Sequence, residues 1–399
     1  MINRPDYIAA IEPFIDKPLV KILAGIRRCG KSTIFEMLRE ELLRRGVGED
    51  QIICKRYTEM DIPENITAKQ MYDELTAAMA GKGHCYLLLD EIQEITGWEK
   101  AVNSLLESTD ADIYVTGSNS KLMSSEISTY LTGRYVSIPV YTLSFKEYLA
   151  FKQDSPLSRR ELLEDYIRFG GLPLVALNEY DEQSAYQIVN GIYHTVVSRD
   201  IVKRHRINKQ DLFDRVVKYI IENMGKTFSA NSISTFLKSE HRKVSVESIY
   251  NYLRWLEQAF IIYPCERYDL QGKSILKTQE KYYLADVSLK YALLGYNRKM
   301  LDGAMENIVF LELKRRGYDV FIGKNDTKEI DFVATRRDER IYVQVCVRIP
   351  ETSDREVGNL MEIRDHYPKY VVTLNEMDTG IENGIKIVHL ADFLLADAW

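Results

Sequence analysis

The sequence feature that constrains the fold most strongly is a loop near the start of the chain, Gly25-Ile26-Arg27-Arg28-Cys29-Gly30-Lys31-Ser32. It matches the pattern G-x-x-x-x-G-K-[ST] in full, and it follows an apolar run at residues 20–25 that predicts a strand. After the loop, residues 33–45 place Ile34, Leu38 and Leu42 on one face, which predicts a helix. A strand, such a loop and a helix in this order predict a phosphate-binding site, because backbone amides and a helix N-terminus attract anions.

Within this loop, Lys31 is expected to contact the terminal phosphates, and Ser32 is expected to supply a hydroxyl ligand to Mg²⁺. The other residues predicted to line the nucleotide are Gly25, Ile26, Arg27, Arg28, Cys29, Gly30 and Thr33. The alternative is a glycine turn that merely joins a strand to a helix. A full match in the strand-to-helix context favours phosphate binding over that alternative.

Two adjacent acids, Asp90 and Glu91, end a second apolar strand predicted at residues 86–90. In proteins with such a loop, the strand-end Asp holds Mg²⁺ and a following Glu can deprotonate the attacking water. We assign Asp90 to Mg²⁺ and Glu91 to the base, the alternative being carboxylates that only cap a strand. A further strand at 113–116 leads into Gly117, Ser118 and Asn119, small residues that either reach the γ-phosphate or form an ordinary turn.

With two more strands predicted at 52–57 and 136–141, the first 150 residues alternate between apolar runs and amphipathic segments. This alternation predicts βα units and a parallel sheet. The chain resembles AAA-type ATPases of the additional-strand class, and more closely a prokaryotic family that joins such a core to a C-terminal domain of unknown function. The resemblance rests on G-I-R-R-C-G-K-S-T (25–33), L-L-L-D-E-I-Q (87–93), T-G-S-N-S (116–120), L-T-G-R (131–134), L-S-F-K-E-Y (143–148) and F-G-G-L-P (169–173).

This resemblance implies ATP rather than GTP as the nucleotide. It suggests Ser118 or Asn119 as a polar sensor, and Arg134 as an arginine finger that acts on the nucleotide of a neighbouring subunit in a homo-oligomer. An arginine suits that role because its charge matches the negative charge on the transferring phosphoryl group. A surface salt bridge is the alternative for Arg134.

Residues 151–208 lack strand character and resemble the small helical lid of such ATPases. Residues 209–297 predict three helices and two extended segments, which together indicate a winged helix-turn-helix. Its candidate DNA contacts are Lys238, Arg242, Lys243 and Arg254, whereas Glu247 and Glu257 disfavour the approach of phosphate. A packing module is the alternative, and the basic cluster Arg199, Lys203, Arg204, His205 and Arg206 is either a contact surface or a solvated helix face.

Residues 298–399 form a separate α/β pattern in which Glu306 and Asp331 resemble the acids of restriction-endonuclease-like domains. In active members, a second strand acid and a lysine complete the site. Here Gln344 and Cys346 stand at those two positions, so both charges are lost. We therefore expect this domain to be inactive as a nuclease and retained for binding or stability.

The net charge of the chain is -6, but residues 151–300 carry a net charge of +5. The overall negative charge therefore does not exclude contact with nucleic acid in this part of the chain. Its five cysteines are scattered, which argues against a disulfide framework or a zinc site. The sequence shows neither a signal peptide nor an apolar run long enough to span a membrane, so we expect a cytoplasmic protein. The expected function is Mg²⁺-dependent ATP hydrolysis coupled to a nucleic-acid or protein partner. A slow nucleotide switch and, as a weaker option, a nuclease are the alternatives.

Overall fold

The computed structural model describes residues 3–59, 66–123, 125–131, 133–207, 209–239, 241–242, 244–272, 274–297, 301–350 and 355–399. Contacts divide the chain into two compact units, Met1–Val140 with Gln258–Phe260, and Tyr141–Glu257 with Ile261–Trp399. This division does not test the four domains expected from the sequence. Their boundaries near residues 150, 208 and 297 stay predictions.

The first unit is built on a five-stranded sheet in the order β2-β3-β4-β1-β5, in which every pairing is parallel. The strands are β1 Val20–Ala24, β2 Ile52–Arg56, β3 Cys85–Asp90, β4 Ala111–Gly117 and β5 Tyr135–Pro139. Strands β1 and β3 are buried along their whole length, as expected where both faces of a parallel sheet are covered. The predicted parallel α/β core is confirmed.

Five α-helices accompany this sheet within the described residues: α1 Pro5–Ile11, α2 Lys31–Arg44, α3 Ala68–Met79, α4 Trp98–Ser108 and α5 Ser125–Tyr130. Helix α2 begins two residues before the predicted start, because Gly30 adopts a left-handed conformation and ends the loop there. Its residues Ile34, Leu38 and Leu42 are buried, as their spacing predicts. The buried face of α2 therefore fixes the helix N-terminus relative to the end of β1.

A buried ion pair joins the two central strands away from this loop, near their N-terminal ends. The ammonium of Lys21 on β1 donates to the carboxylate of Asp112 on β4, and both side chains are nearly inaccessible to solvent. The same carboxylate accepts hydrogen bonds from the Tyr114 hydroxyl (2.6 Å) and the Asp16 amide (3.0 Å). A buried carboxylate needs such partners, because an unpaired buried charge is strongly destabilising. Loss of either partner would therefore destabilise the sheet at the ends of the strands away from the loop.

The second unit contains a mixed eight-stranded sheet in the order β12-β13-β11-β10-β9-β8-β6-β7. Its strands are β6 Ile262–Asp269, β7 Ser274–Leu284, β8 Asp319–Asn325, β9 Lys328–Arg336, β10 Glu339–Cys346, β11 Lys369–Thr373, β12 Gly380–Glu382 and β13 Ile385–His389. Its helices are α6 Phe145–Phe151, α7 Arg159–Phe169, α8 Pro173–Ala176, α9 Glu182–Val196, α10 Gln210–Glu222, α11 Ala230–Ser239, α12 Val246–Gln258, α13 Ser288–Leu294, α14 Leu301–Arg315, α15 Arg355–Met361 and α16 Leu390–Leu395. A π-helical segment, Val197–Lys203, continues α9.

The two extended segments expected to form a wing are β6 and β7, which pair as an antiparallel hairpin after helices α10 to α12. Strand β6 also pairs in parallel with β8, where Arg267 lies opposite Ile322. The hairpin is therefore continuous with the sheet of the last hundred residues rather than a free-standing wing. The assignment of this region as a winged helix-turn-helix stays a prediction, as does the nuclease-like assignment of the residues that follow.

The remaining expectations about cysteines and membranes concern the chain as a whole. All five cysteines are free thiols, and Cys54 is the exposed one among them. Among the described residues, no three His, Cys, Asp or Glu side chains are grouped as metal ligands. No helix in the described ranges combines the length and the apolar character needed to cross a membrane.

Candidate nucleotide site

The loop that follows β1 is held by backbone contacts that leave no room for a side chain at its first glycine. The amide of Gly25 donates to the Gly117 carbonyl (3.3 Å). A Cβ atom on Gly25 would lie 2.0 Å from the carbonyl oxygen of Val140, which a side chain cannot tolerate. At the other end, Gly30 has a φ of 102° and starts α2. Both glycines of the motif are therefore required by the backbone path itself.

Lys31 is the first residue of α2, and its ammonium is held inside the loop. Its Nζ atom donates hydrogen bonds to the carbonyl oxygens of Gly25 (3.0 Å) and Ile26 (3.2 Å). The same atom lies 3.7 Å from Oε1 of Glu91, and the Lys31 side chain is only 3% exposed. A buried cation beside the amide-rich N-terminus of a helix creates a strongly anion-attracting position.

Ser32 and Asp90 come together at the carboxyl edge of the sheet. The Ser32 hydroxyl donates to Oδ2 of Asp90 (2.7 Å), and the Thr116 hydroxyl at the end of β4 donates to Oδ1 of the same carboxylate. Arg56, at the end of β2, donates to Oδ2 from Nε (3.0 Å). Hydroxyl and carboxylate oxygens are the ligands that Mg²⁺ takes beside a phosphate. The chemistry of Ser32 and Asp90 therefore fits the predicted Mg²⁺ ligands.

Glu91 adopts a left-handed conformation with a φ of 56° directly after the end of β3. Its amide donates to the Thr116 hydroxyl (3.0 Å), and its Oε2 accepts hydrogen bonds from Ser118 (3.2 Å) and from the Gln93 amide. Burial raises the pKa of Glu91, but the charges of Lys31 and Arg27 and these two hydrogen bonds outweigh burial and lower it overall. Glu91 is therefore an ionised carboxylate, able to accept a proton.

The other residues predicted for this site take several positions. Ser118 contacts Glu91, and Asn119 beside it is buried. Arg27 lies 3.9 Å from Glu91, whereas Arg28 and Thr33 are exposed. Burial raises the pKa of the Cys29 thiol, which is fully enclosed together with Ile26. These placements leave the individual roles of the loop residues as predictions.

Arg134 lies apart from this group of contacts. Its guanidinium donates to the Glu107 carboxylate (2.5 Å) and to the Asn103 side-chain oxygen (3.1 Å), both on α4. This is the salt bridge that the sequence left open as an alternative to a catalytic role. The Arg134 side chain is 37% exposed, so its guanidinium is accessible to a neighbouring group.

Four residues that support this site were not predicted from the sequence: Arg4, Arg56, Gln93 and Thr116. The Arg4 side chain is almost fully buried and donates to the Cys29 carbonyl (2.8 Å), which braces the loop from the N-terminal segment. Arg56 lies directly opposite Asp90 in the β2–β3 pairing. Its position at a strand end was the available signal, because parallel strands bring their carboxyl ends to one edge.

Comparisons with known proteins agree with this architecture. A family model described as "AAA domain" matches residues 17–149, and a "Domain of unknown function (DUF8612)" matches residues 160–299. An uncharacterized protein of Haemophilus influenzae is 36% identical over 99% of both chains. An uncharacterized protein of Methanocaldococcus jannaschii is 31% identical over 85% of this chain and 77% of its own.

Among solved structures, the Walker-type ATPase PABY2304 of Pyrococcus abyssi superposes with a TM-score of 0.52. The match has 15% sequence identity and covers 73% of this chain and 96% of that chain, so it bears on the fold alone. The expected resemblance is thereby confirmed. The chain belongs to a family of AAA-type proteins with a P-loop ATPase fold, in which the AAA domain is followed by a domain of unknown function.

Proposed function

We propose that this protein binds ATP with Mg²⁺ and hydrolyses it to ADP and phosphate, and that the nucleotide state controls its action on a partner. The observation that carries the proposal is the meeting of Lys31, Ser32, Asp90 and Glu91 at one edge of the parallel sheet. Lys31 has the chemistry to bind phosphate, Ser32 and Asp90 to hold Mg²⁺, and Glu91 to accept a proton. ATP is the nucleotide that the family resemblance implies.

Binding would proceed through the loop and Lys31. The backbone amides at the start of α2 would contact phosphate oxygens, and the Lys31 ammonium would exchange its two carbonyl partners for the terminal phosphates. Ser32 and Asp90 would hold Mg²⁺, which supplies charge neutralisation to the phosphates.

Glu91 would then take a proton from the attacking water. Its carboxylate is held by Ser118 and Gln93, so these two side chains orient the base. Thr116 contacts the Glu91 amide and the Asp90 carboxylate, and this keeps the base and the Mg²⁺ ligand in fixed relation. Ser118 and Asn119 stay proposed as the polar sensor of the γ-phosphate.

Arg134 is proposed to act on the nucleotide of a neighbouring subunit. We expect Arg134→Ala to lower turnover about 10²-fold, as when one charge-stabilising donor is removed from a transition state. Activity should partly return when Arg134→Ala subunits are mixed with Glu91→Gln subunits. Where the two variants adjoin, the first supplies an intact Glu91 and the second an intact Arg134, so one complete site forms. Arg44→Ala, which breaks an exposed pair with Glu41, is the matched control. A wild-type rate for Arg134→Ala would refute the proposed action on a neighbouring subunit.

The partner is proposed to be a nucleic acid or a protein, and one observation favours nucleic acid. Lys203, Arg204 and Arg206 are exposed, and His205 within this run stacks on Trp255 of α12 at a ring distance of 4.3 Å. On the candidate DNA-binding helices, Lys238 and Arg254 are exposed, whereas Arg242 pairs with Asp211. Lys243 lies outside the described residues. These cations give a surface suited to phosphate backbones.

Turnover with and without DNA separates this function from a slow nucleotide switch. We expect steady-state phosphate release to rise severalfold with duplex or single-stranded DNA, and to lose that stimulation in Lys203→Glu with Arg204→Glu. The charge-reversed variant should keep its basal rate, because neither residue is among those proposed to bind ATP or Mg²⁺. Negligible turnover in every condition, together with nucleotide-dependent assembly, would support the switch instead. Cleavage of the DNA that requires Mg²⁺ and Asp331 would support the nuclease alternative.

A further inference from the structure

A second charged cluster lies in the second unit, where one lysine is buried among three carboxylates. The Lys281 ammonium on β7 lies 2.9 Å from Oε1 of Glu329, 3.4 Å from Oε2 of Glu306 and 3.9 Å from Oδ1 of Asp331. The Lys281 side chain is 4% exposed. Glu329 and Asp331 are two residues apart on β9, so they share one face of the strand, and Glu306 approaches from α14.

Two of the three acids of this cluster also accept hydrogen bonds from other groups of the chain. Oδ2 of Asp331 accepts the Val345 amide (2.8 Å), and the Asp331 amide donates to the side-chain oxygen of Gln344 (3.2 Å). The Tyr283 hydroxyl donates to Oε2 of Glu306 (3.0 Å). These contacts hold Asp331 and Glu306 in place beside the ammonium, which Glu329 also contacts.

The Lys281 ammonium separates the carboxylates of two elements, since Glu306 lies on α14 and Glu329 and Asp331 lie on β9. The side chains of Glu306 and Asp331 are only 14% and 9% exposed. Without the ammonium, these acids would be left close together, and buried like charges are strongly unfavourable.

Two of these acids, Glu306 and Asp331, are the residues that resemble metal ligands of nuclease-like domains. The uncharged residues Gln344 and Cys346 stand where a further acid and a lysine would be needed. Lys281 comes from a strand outside that pattern, and its ammonium contacts the acids themselves. A lysine that activates water at a metal site must leave the centre of the carboxylates to the metal, whereas Lys281 fills the centre.

We propose that the Lys281 ammonium is the resident cation of this carboxylate cluster, where it excludes divalent cations and holds β7, β9 and α14 together. The cluster is then a structural site in which an internal charge replaces a bound metal. Removing the ammonium while keeping the carboxylates should convert it into a divalent-cation site, because the remaining carboxylate oxygens suit hard cations.

The test is a Mn²⁺ titration of the full-length, nucleotide-free protein, with free Mn²⁺ measured by electron paramagnetic resonance. Wild type and Asp331→Asn should bind equal amounts of Mn²⁺, since neither has a vacant cluster. Lys281→Ala should bind one additional ion per chain, and Lys281→Ala with Asp331→Asn should lose it. Lys281→Arg, which retains a cation, is the matched control and should gain no ion. The unfolding midpoint of Lys281→Ala should fall without Mn²⁺ and recover with it, whereas that of wild type should not change.

Two results would overturn the proposal. The first is wild-type protein that binds a Mn²⁺ ion which Asp331→Asn does not bind, because the native cluster would then be an open metal site. The second is a folded Lys281→Ala variant, judged by circular dichroism and gel filtration, that binds no additional ion. The comparison of wild type with Asp331→Asn decides the question even if Lys281→Ala does not fold, since an Asn oxygen can still accept the Val345 amide.

Discussion

Lys31→Ala is expected to weaken ATP binding by about 10²- to 10⁴-fold, which leaves no binding at micromolar nucleotide. Two charge-assisted hydrogen bonds to phosphate contribute about 1.5–3 kcal/mol each, and each 1.4 kcal/mol corresponds to about a factor of ten in affinity. In the nucleotide-free protein, the ammonium contacts two loop carbonyls, so the substitution also removes the group that keeps the loop closed around its centre. Calorimetric titration with a non-hydrolysable ATP analogue measures the loss.

The matched control for this loss is Lys69→Ala. Lys69 lies on α3, is largely exposed and pairs with Asp73, so its removal should change neither the affinity nor the fold. Circular dichroism of both variants separates lost affinity from lost structure. Tight ATP binding by a folded Lys31→Ala protein would refute the assignment of the loop as the nucleotide site.

The part of this site that the sequence predicts consists of residues adjacent along the chain or at the ends of strands. The loop between β1 and α2 is a local pattern, and so is the pair of acids that ends β3. Their meeting follows from the geometry of parallel sheets, in which strand ends share one edge. For this reason the sequence alone is enough to group Lys31, Ser32, Asp90 and Glu91 in one site.

The residues that the sequence did not reveal depend on contacts between distant segments. Arg4 reaches the carbonyl of Cys29 from a segment that carries no motif, and Arg56 faces Asp90 only because β2 and β3 pair in that register. An arginine is ordinarily solvated, so the strand-end position of Arg56 was a weak signal, and the sequence around Arg4 gave none.

The second unit shows the same limit more strongly. The two strands of the β6–β7 hairpin can be predicted from the local sequence pattern, but the pairing of β6 with β8 joins segments about fifty residues apart. That pairing belongs to the sheet that brings Lys281 of β7 to Asp331 of β9. The sequence gives a cysteine at position 346, whereas the approach of Lys281 from another strand to Asp331 is visible only in three dimensions.

Glu91→Gln is expected to keep ATP binding and to lower hydrolysis by about 10²- to 10⁴-fold, the contribution typical of a general base. Glutamine retains the size of the side chain and an oxygen that accepts from Ser118, but it cannot take a proton from water. The lowered pKa of Glu91 makes the wild-type group ionised at neutral pH, so the substitution removes a charge that is present during turnover. Single-turnover hydrolysis of labelled ATP, measured beside equilibrium binding, separates the two effects.

Glu74→Gln, which removes an exposed carboxylate paired with Lys55 on β2, is the matched control and should hydrolyse ATP at the wild-type rate. The Glu91→Gln protein, held in its ATP state, is also the form with which a partner should associate most stably. A pull-down with Glu91→Gln is compared with a pull-down with the double variant that carries both Lys31→Ala and Glu91→Gln. The double variant retains the protein surface but does not bind the nucleotide. Proteins captured only by Glu91→Gln are therefore partners that depend on bound ATP. If Glu91→Gln turned over ATP at the rate of Glu74→Gln, another group would have to accept the proton, and Glu91 would be left with a role in positioning Lys31 and Arg27.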